Sequence, residues 1–168
     1  MKKYICCFTG HREMDGRHLS RLVVRLKRLM MEKYEEGVRV FRAGGAIGFD
    51  TFAALAVVDM KKKFPDVRLE LFLPCRDQTA KWAAEDVRIY KNILKCADSV
   101  VYAEEQYTSG CMMKRNRMLV DGSDCCIAYY NGSRGRSGTG YTVNYARSKG
   151  IELVNLCEEG GVLFGLVD

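Results

Sequence analysis

The chain has 168 residues, of which 48% are hydrophobic and 29% charged, and its formal net charge is +6 at pH 7. This length predicts a single domain, residues 1–168, with a hydrophobic core that needs no disulfide or metal to hold it together. The composition excludes intrinsically disordered and fibrous proteins, and the positive charge is consistent with either a nucleic-acid surface or a local anion site.

Six short apolar segments alternate with five longer segments of helical spacing. This alternation is typical of βαβ units, and the continuous apolar runs favour parallel strands that are covered by helices on both faces. The predicted strands are Tyr4–Thr9, Val38–Ala43, Arg68–Leu73, Ser99–Ala103, Asp124–Tyr130 and Ile151–Leu156. The predicted helices are His18–Glu36, Asp50–Phe64, Gln78–Lys95, Gly110–Asp121 and Gly138–Lys149. The sequence therefore predicts an α/β fold of three layers around a mostly parallel central sheet.

The eight cysteines predict free thiols rather than disulfides or a metal site. Cys6-Cys7 and Cys125-Cys126 are adjacent pairs in apolar segments, where neighbouring side chains point to opposite faces of a strand. The spacings typical of zinc ligands, such as Cys-x-x-Cys, are absent, so we expect no metal. No apolar segment approaches the roughly 20 residues that span a bilayer, and we therefore expect a cytoplasmic protein without a membrane partner.

The exits of the predicted strands are rich in glycine. Ligands of open parallel sheets bind beyond the carboxyl ends of the strands, and nine of the 16 glycines follow strands one, two, four and five. The segment Gly44–Asp50 predicts an anion-binding loop, because glycine lets a backbone approach a phosphate and the following helix offers free N–H groups. The alternative is a tight turn without a ligand. Asp50 either caps the second helix or binds a ribose hydroxyl.

A second glycine-rich loop, Ser133–Thr142, also leads directly into a helix. Arginines recur at the same edge of the predicted sheet: Arg12, Arg42, Arg76, Arg115, Arg134 and Arg136. Guanidinium groups bind phosphate in a bidentate manner, so we expect these arginines to converge in a local, phosphate-sized cationic pocket. The alternative is that they occupy ordinary surface, which is also our interpretation of the basic face of the first helix.

Several other residues have an ordinary structural interpretation. His11 is expected to hydrogen-bond to a ligand or to the backbone, with general-base catalysis as the less favoured alternative. Trp82 and the methionines of the fourth helix are interpreted as core packing. Tyr107, Tyr129 and Tyr130 are candidate stacking platforms for single-stranded DNA, although the last two lie in a predicted strand and fit the core or its edge better.

Four motifs along the chain together resemble the YpsA-like branch of the SLOG superfamily. They are Phe8-Thr9-Gly10-His11-Arg12, then Gly44-Gly45-Ala46-x-Gly48-Phe49-Asp50, then Arg115-Asn116 leading to Val120-Asp121-x-Ser123-Asp124, and Ser137-Gly138-Thr139 followed by Thr142-Val143 and Tyr145-Ala146. The resemblance covers nearly the whole chain. It implies a Rossmann-like fold related to the LOG and DprA proteins. It also implies a nucleotide or nucleotide-derived ligand, such as ADP-ribose or an NAD-like molecule.

The loops and the resemblance together predict a nucleotide-ligand site at the carboxyl edge of the sheet, in a sensor or regulatory protein. Its expected residues are Thr9, Gly10, His11, Arg12, Gly44, Gly45, Ala46, Gly48, Asp50, Arg115, Asn116, Ser137, Gly138, Thr139, Gly140 and Thr142. The expected partners are a small-molecule nucleotide and, as in related folds, a second copy of the chain.

The enzymatic LOG proteins carry the similar motif Pro-Gly-Gly-x-Gly-Thr-x-Glu, in which the glutamate assists cleavage of an N-glycosidic bond. In this chain Tyr141 stands at the position of that carboxylate. A phenol with a pKa of about 10 does not readily replace a carboxylate, so we favour binding without catalysis and assign no catalytic residue. A nucleotide N-glycosidase and a DprA-like protein that binds single-stranded DNA remain the two alternatives.

Overall fold

A six-stranded parallel sheet forms the centre of the computed structural model, which describes residues 4–132 and 137–157. The strands are β1 (Ile5–Gly10), β2 (Val40–Ala43), β3 (Arg68–Leu73), β4 (Ser99–Tyr102), β5 (Cys125–Tyr129) and β6 (Glu152–Asn155). They lie in the order β4-β3-β2-β1-β5-β6, and every pairing is parallel. The predicted α/β class and parallel sheet are confirmed.

Five α-helices connect the strands: α1 (Leu19–Glu35), α2 (Phe49–Lys63), α3 (Ala84–Cys96), α4 (Cys111–Val120) and α5 (Gly138–Ser148). A 3₁₀ turn, Gly16–His18, precedes α1. Residues of α1, α2 and α3 join one hydrophobic cluster, whereas residues of α4 and α5 join a second cluster. The sheet is therefore covered by helices on both faces, which completes a three-layer Rossmann-like arrangement.

The adjacent cysteines show that side chains of the central strands pack into the hydrophobic clusters on both faces of the sheet. Cys6 and Cys125, paired across β1 and β5, belong to the first cluster, and their neighbours Cys7 and Cys126 belong to the second. None of the eight cysteines, all of which are described, forms a disulfide, as the sequence predicted. Every side chain of β5 is buried, which is why this strand reads as a continuous apolar run.

The third helix begins later than predicted. Residues 77–82 form turns, in which the N–H groups of Ala80 and Trp82 donate to carbonyls three residues earlier, and α3 begins only at Ala84. Glu85 and Asp86 occupy its first turn, where negative charge favours a helix N-terminus. Trp82 packs edge-on against Tyr90 at 5.4 Å and borders the core, in agreement with its predicted structural role.

The strand order places a topological switch point between β1 and β5. The chain moves from β1 towards one edge of the sheet through β2, β3 and β4, and then crosses to the other side of β1. Such a reversal opens a crevice outside the carboxyl ends of the two central strands. Within residues 4–132 and 137–157, no helix is long and apolar enough to cross a membrane.

Candidate functional site

A cleft of about 440 Å³ lies at this switch point. The end of β1, the beginning of α2, one face of α4 and the beginning of α5 form its walls. Among the predicted site residues, those that line it are Thr9, Gly10, His11, Arg12, Ala46, Asp50, Arg115, Asn116, Ser137, Gly138 and Thr139. The predicted residues that do not line it are Gly44, Gly45, Gly48, Gly140 and Thr142. The structure thus brings together residues from four separate motifs.

His11 ties together the elements that meet at the cleft. Its backbone N–H donates to the carbonyl of Tyr129 at 3.2 Å, and its own carbonyl accepts from the N–H of Phe49 at 3.1 Å. Its Nε2 accepts a hydrogen bond from the N–H of Asn131 at 3.0 Å. The expected hydrogen bond between the His11 side chain and the backbone is confirmed, with Nε2 as the acceptor. The backbone of His11 joins the end of β1 to β5 and α2, and its imidazole binds the segment that follows β5.

The first glycine-rich loop, Gly44–Gly48, is filled by the protein itself. A Cβ atom at Gly44 would lie 2.9 Å from both Arg115 Nη1 and Asp50 Oδ2, and one at Gly45 would lie 2.3 Å from Leu73 Cδ2. At Gly48 it would lie 2.2 Å from the carbonyl oxygen of Arg12. Gly45 and Gly48 also have positive φ angles of +71° and +89°. These glycines permit close packing behind the cleft, and only Ala46 of this loop lines the cleft.

Asp50 is a buried carboxylate in the wall of the cleft, with 6% of its surface exposed. The N-cap of α2 is Gly48, so Asp50 does not hold the capping position that was one of its two predicted roles. Its Oδ2 accepts from the N–H of Ala46 at 3.3 Å, whereas its Oδ1 makes no hydrogen bond with any described residue. Burial raises the pKa of this carboxyl to about 6, against the opposing effects of Arg115, the Ala46 N–H and Arg12.

Arg115 holds the first loop in place. It lies on α4 with 6% of its surface exposed, and its guanidinium donates to the carbonyl of Gly44 and, through Nε, to Asn116 Oδ1 at 2.9 Å. Burial lowers the pKa of this guanidinium, and the nearby Asp50 carboxylate opposes that shift. The Nε and Nη1 donors of Arg115 are therefore already hydrogen-bonded to the protein itself.

Arg12 differs from Arg115 because its side chain is exposed and is not paired with any described residue. Its guanidinium makes no ion pair or hydrogen bond with any residue in the described ranges. It is close enough to Asp50 and Arg115 for its charge to lower the pKa of both groups. An exposed guanidinium that lines a cleft and pairs with no described residue is suited to binding an anion.

The N-terminus of α5, in the described part of the second glycine-rich loop, faces the cleft through Ser137, Gly138 and Thr139. Ser137 is the N-cap, and its Oγ accepts from the N–H of Gly140 at 2.9 Å. The carbonyl of Ser137 takes the N–H of Tyr141 at 3.0 Å. The N–H groups of Gly138 and Thr139 then have no acceptor among the residues that the structure describes, as is usual in a first helical turn.

Two threonine hydroxyls add to these open groups. Thr9 and Thr139 line the cleft and are 6% and 7% exposed, yet neither hydroxyl is hydrogen-bonded within the described part of the chain. The hydroxyl of Thr142, in contrast, donates to the carbonyl of Gly138 at 2.8 Å and lies behind the loop. Neither hydroxyl is among the described buried atoms that lack a partner, so both are accessible from the cleft and can hydrogen-bond to a polar group that enters it.

The expected convergence of six arginines is wrong for Arg42 and Arg76. Arg42 pairs with Glu70 at 3.0 Å and donates to the carbonyl of Asp121 at 2.7 Å, on the face of the sheet rather than at its edge. Arg76 pairs with Glu105 at 2.6 Å. In both cases a nearby carboxylate decides the position of the guanidinium. Arg134 and Arg136 lie outside the described residues.

The sequence interpretation missed the apolar part of the cleft, which consists of Phe8, Met112, Met113 and Leu119. The methionines of α4 had been interpreted as core packing. The available signal was their spacing, because Met112 precedes Asn116 by one helical turn and therefore shares its face. Tyr129 is buried and stacks on Phe49 at 5.8 Å, so the structural interpretation of this tyrosine is confirmed.

Comparison with known proteins agrees with this arrangement of motifs. The sequence model described as the YspA SLOG family (YpsA) matches residues 6–153. The SPbeta prophage-derived protein YoqJ of Bacillus subtilis (strain 168) is 33% identical over 119 residues, which cover 64% of this chain and 68% of YoqJ. A UPF0398 protein of Bacillus cereus (strain B4264) is 29% identical over 127 residues, or 74% of this chain and 68% of that protein.

Proposed function

This chain belongs to the YpsA SLOG family, and from its cleft we propose that it binds a nucleotide or nucleotide-derived ligand as a sensor or regulatory protein. The observation that carries the proposal is a set of polar groups in one cleft that have no hydrogen-bond partner within residues 4–132 and 137–157. They comprise the first N–H groups of α5, the Arg12 guanidinium, two threonine hydroxyls and one oxygen of Asp50.

The phosphate is expected at the N-terminus of α5. The N–H groups of Gly138 and Thr139 point out of the first turn, where the partial positive charge of a helix favours an anion. Arg12 supplies a full positive charge at the same cleft. Helix terminus and guanidinium together match the charge and the acceptor geometry of a phosphate group.

The sugar is expected near Asp50. Its Oδ1 accepts no hydrogen bond within the described residues and lies in a wall of the same cleft, so it can accept one from a ribose hydroxyl. The amide of Asn116 also lines the cleft, and its Nδ2 donates to the Gly138 carbonyl in a long hydrogen bond of 3.5 Å. This second role foreseen for Asp50 is the one that the geometry supports.

The test is binding of AMP, ADP-ribose and NAD, measured by calorimetry and by the shift in melting temperature. The variant Arg12→Gln is expected to lose at least about tenfold in affinity, since a charge-assisted hydrogen bond is lost. Arg76→Gln is the matched control, because Arg76 follows a strand at the same sheet edge but outside the cleft. Absence of binding across the panel, or equal losses in both variants, would contradict the proposal.

A second candidate function, hydrolysis of a nucleotide N-glycosidic bond, is favoured by the position of Asp50. It is a carboxyl that lines the cleft, and its pKa of about 6 suits proton transfer near neutral pH. In this reaction water adds to C1′ of the ribose, the bond to the base breaks, and the base leaves with a proton. Incubation with AMP and chromatography for free adenine distinguish the two functions, since a pure sensor releases none.

A further inference from the structure

A second pocket, of about 550 Å³, adjoins the cleft. We call it the tyrosine pocket, and its residues are Met113, Tyr130, Ser137, Gly138, Gly140, Tyr141 and Asn144. Three of these residues, Met113, Ser137 and Gly138, also line the cleft. The two cavities therefore meet along the open N-terminus of α5, where the phosphate is expected.

Tyr141 forms one wall of the tyrosine pocket. Its ring stacks on the ring of Tyr145, with centroids 6.2 Å apart and planes inclined by 10°, and its hydroxyl accepts from Arg117 Nη1 at 3.2 Å. Two neighbours thus fix the orientation of this ring. Tyr141 stands where the LOG motif has its glutamate, yet it lines this pocket and not the cleft.

Tyr130 comes from a different element and is also held in place. The side chain of Asn155 clamps its backbone through two hydrogen bonds, of 3.0 Å to the N–H and 2.7 Å from Nδ2 to the carbonyl. Its ring lies 5.7 Å from that of His11. The phenol crosses Gly140, where a Cβ atom would lie 3.2 Å from the hydroxyl oxygen. A Cβ atom at position 140 would thus require the Tyr130 ring and Ser137 Oγ, which would lie 3.1 Å away, to shift slightly.

We propose that the tyrosine pocket holds the base of a 5′-nucleotide whose phosphate lies at the N-terminus of α5. This inference rests on the proposed function. It narrows the ligand to molecules whose base occupies the tyrosine pocket, whereas a sugar phosphate, which has no base, would fill only the cleft. Aromatic rings that are already oriented stack on a nucleobase with little loss of conformational entropy, and Met113 adds a polarisable surface. The exposed amide of Asn144 can reach the polar edge of the base.

The experiment compares the affinities of AMP, GMP, CMP and UMP with that of ribose 5-phosphate, by calorimetry on the full chain. We expect the wild-type protein to bind at least one of the four about tenfold or more tightly than ribose 5-phosphate, which is typical of base stacking. Tyr141→Leu should reduce this preference to about twofold and leave the affinity for ribose 5-phosphate unchanged. Tyr141→Phe keeps the ring and should keep the preference.

Tyr107→Leu serves as a matched control, because Tyr107 is 63% exposed and lies in neither cavity. Equal affinities of the wild-type protein for the nucleotides and ribose 5-phosphate would overturn this inference and leave the proposed function intact. A parallel loss of both affinities in Tyr141→Leu would also overturn it, since the residue would then act only on the fold. Absence of binding for all five compounds would overturn this inference, and the proposed function would fall with it only if ADP-ribose and NAD also failed to bind in the same assay.

Discussion

The two glycine-rich loops of this protein are similar in sequence and opposite in construction. The loop Gly44–Gly48 encloses groups of the protein itself, namely the carboxylate of Asp50, the guanidinium of Arg115 and the backbone of Arg12. In the described part of the second loop, from Ser137 onwards, the first turn of α5 lines the cleft. Glycine before a helix therefore does not by itself identify a phosphate site, since close packing of the chain requires the same residue.

The loops differ in whether their backbone N–H groups already have acceptors within the described part of the protein. In the first loop the N–H of Ala46 is used by Asp50, and the N–H of Phe49 is used by the carbonyl of His11. In the second loop the N–H groups of Gly138 and Thr139 have no acceptor among the described residues. We therefore expect the first loop to support the fold and position Asp50, and the second to contact the ligand.

The largest effect is expected from a pair of glycine substitutions, one in each loop. Gly48→Ala places a methyl group 2.2 Å from the carbonyl oxygen of Arg12 at a φ of +89°. Strain and overpacking together should lower the free energy of unfolding by roughly 3 to 5 kcal/mol. Among the described residues, the methyl group of Gly138→Ala meets Asn116 Nδ2 alone, at 3.6 Å, so the stability of this variant should change by less than about 1 kcal/mol. Urea unfolding of both variants measures the difference.

Binding measurements on these variants should show an effect of Gly138→Ala that its stability does not show. The methyl group of Gly138→Ala enters the cleft and should weaken binding of AMP, while the protein stays as stable as the wild type. If Gly48→Ala proved as stable as Gly138→Ala, the first loop would not be a packing element and the contrast between the loops would be lost.

A pH-dependent effect on stability is expected from Asp50 in the first loop. Its pKa is about 6 in the folded protein against 3.8 in the unfolded chain, so the folded state holds the proton more tightly. This contribution is complete below the unfolded pKa and is lost as the pH rises through about 6. The free energy of unfolding, relative to that of Asp50→Asn, should fall by about 3 kcal/mol across this window.

Urea unfolding of the wild-type protein and Asp50→Asn from about pH 4 to about pH 8 tests this expectation. Other titrating groups are common to both proteins and cancel in the difference. A difference that stays constant with pH would mean that folding does not raise the pKa of the Asp50 carboxyl. Asp50 would then be an ordinary carboxylate in the cleft wall.

The fold was largely predictable from the sequence, because strand and helix periodicity is local. The bounds of Arg68–Leu73 match those of β3, and the opposite faces of Cys6 and Cys7 followed from strand geometry alone. The late start of α3 was missed, since helical spacing from Trp82 onwards masked the acidic start signal at Glu85 and Asp86.

The cleft was less predictable, because its composition depends on contacts between distant residues. Residues at the strand exits were placed correctly, since parallel strands bring their carboxyl ends to one edge. Arg42 and Arg76 were misplaced because Glu70 and Glu105 bind them, and these pairs join neighbouring strands or their exits, 28 or 29 residues apart. The filling of the first loop by Arg115 was equally hidden, because that residue follows Gly44 by 71 positions.

The smallest effects are expected from two threonines of α5 that face opposite sides of the second loop. Thr142→Val removes a buried hydrogen bond to the carbonyl of Gly138, which should cost about 1 kcal/mol of stability. Thr139→Val removes a hydroxyl without a partner in the described residues, so stability should stay unchanged while AMP binding weakens about tenfold. Both substitutions conserve shape and β-branching. Thermal unfolding and calorimetry on the two variants therefore separate a hydroxyl that serves the fold from one that serves the ligand, and equal affinities would place the phosphate away from α5.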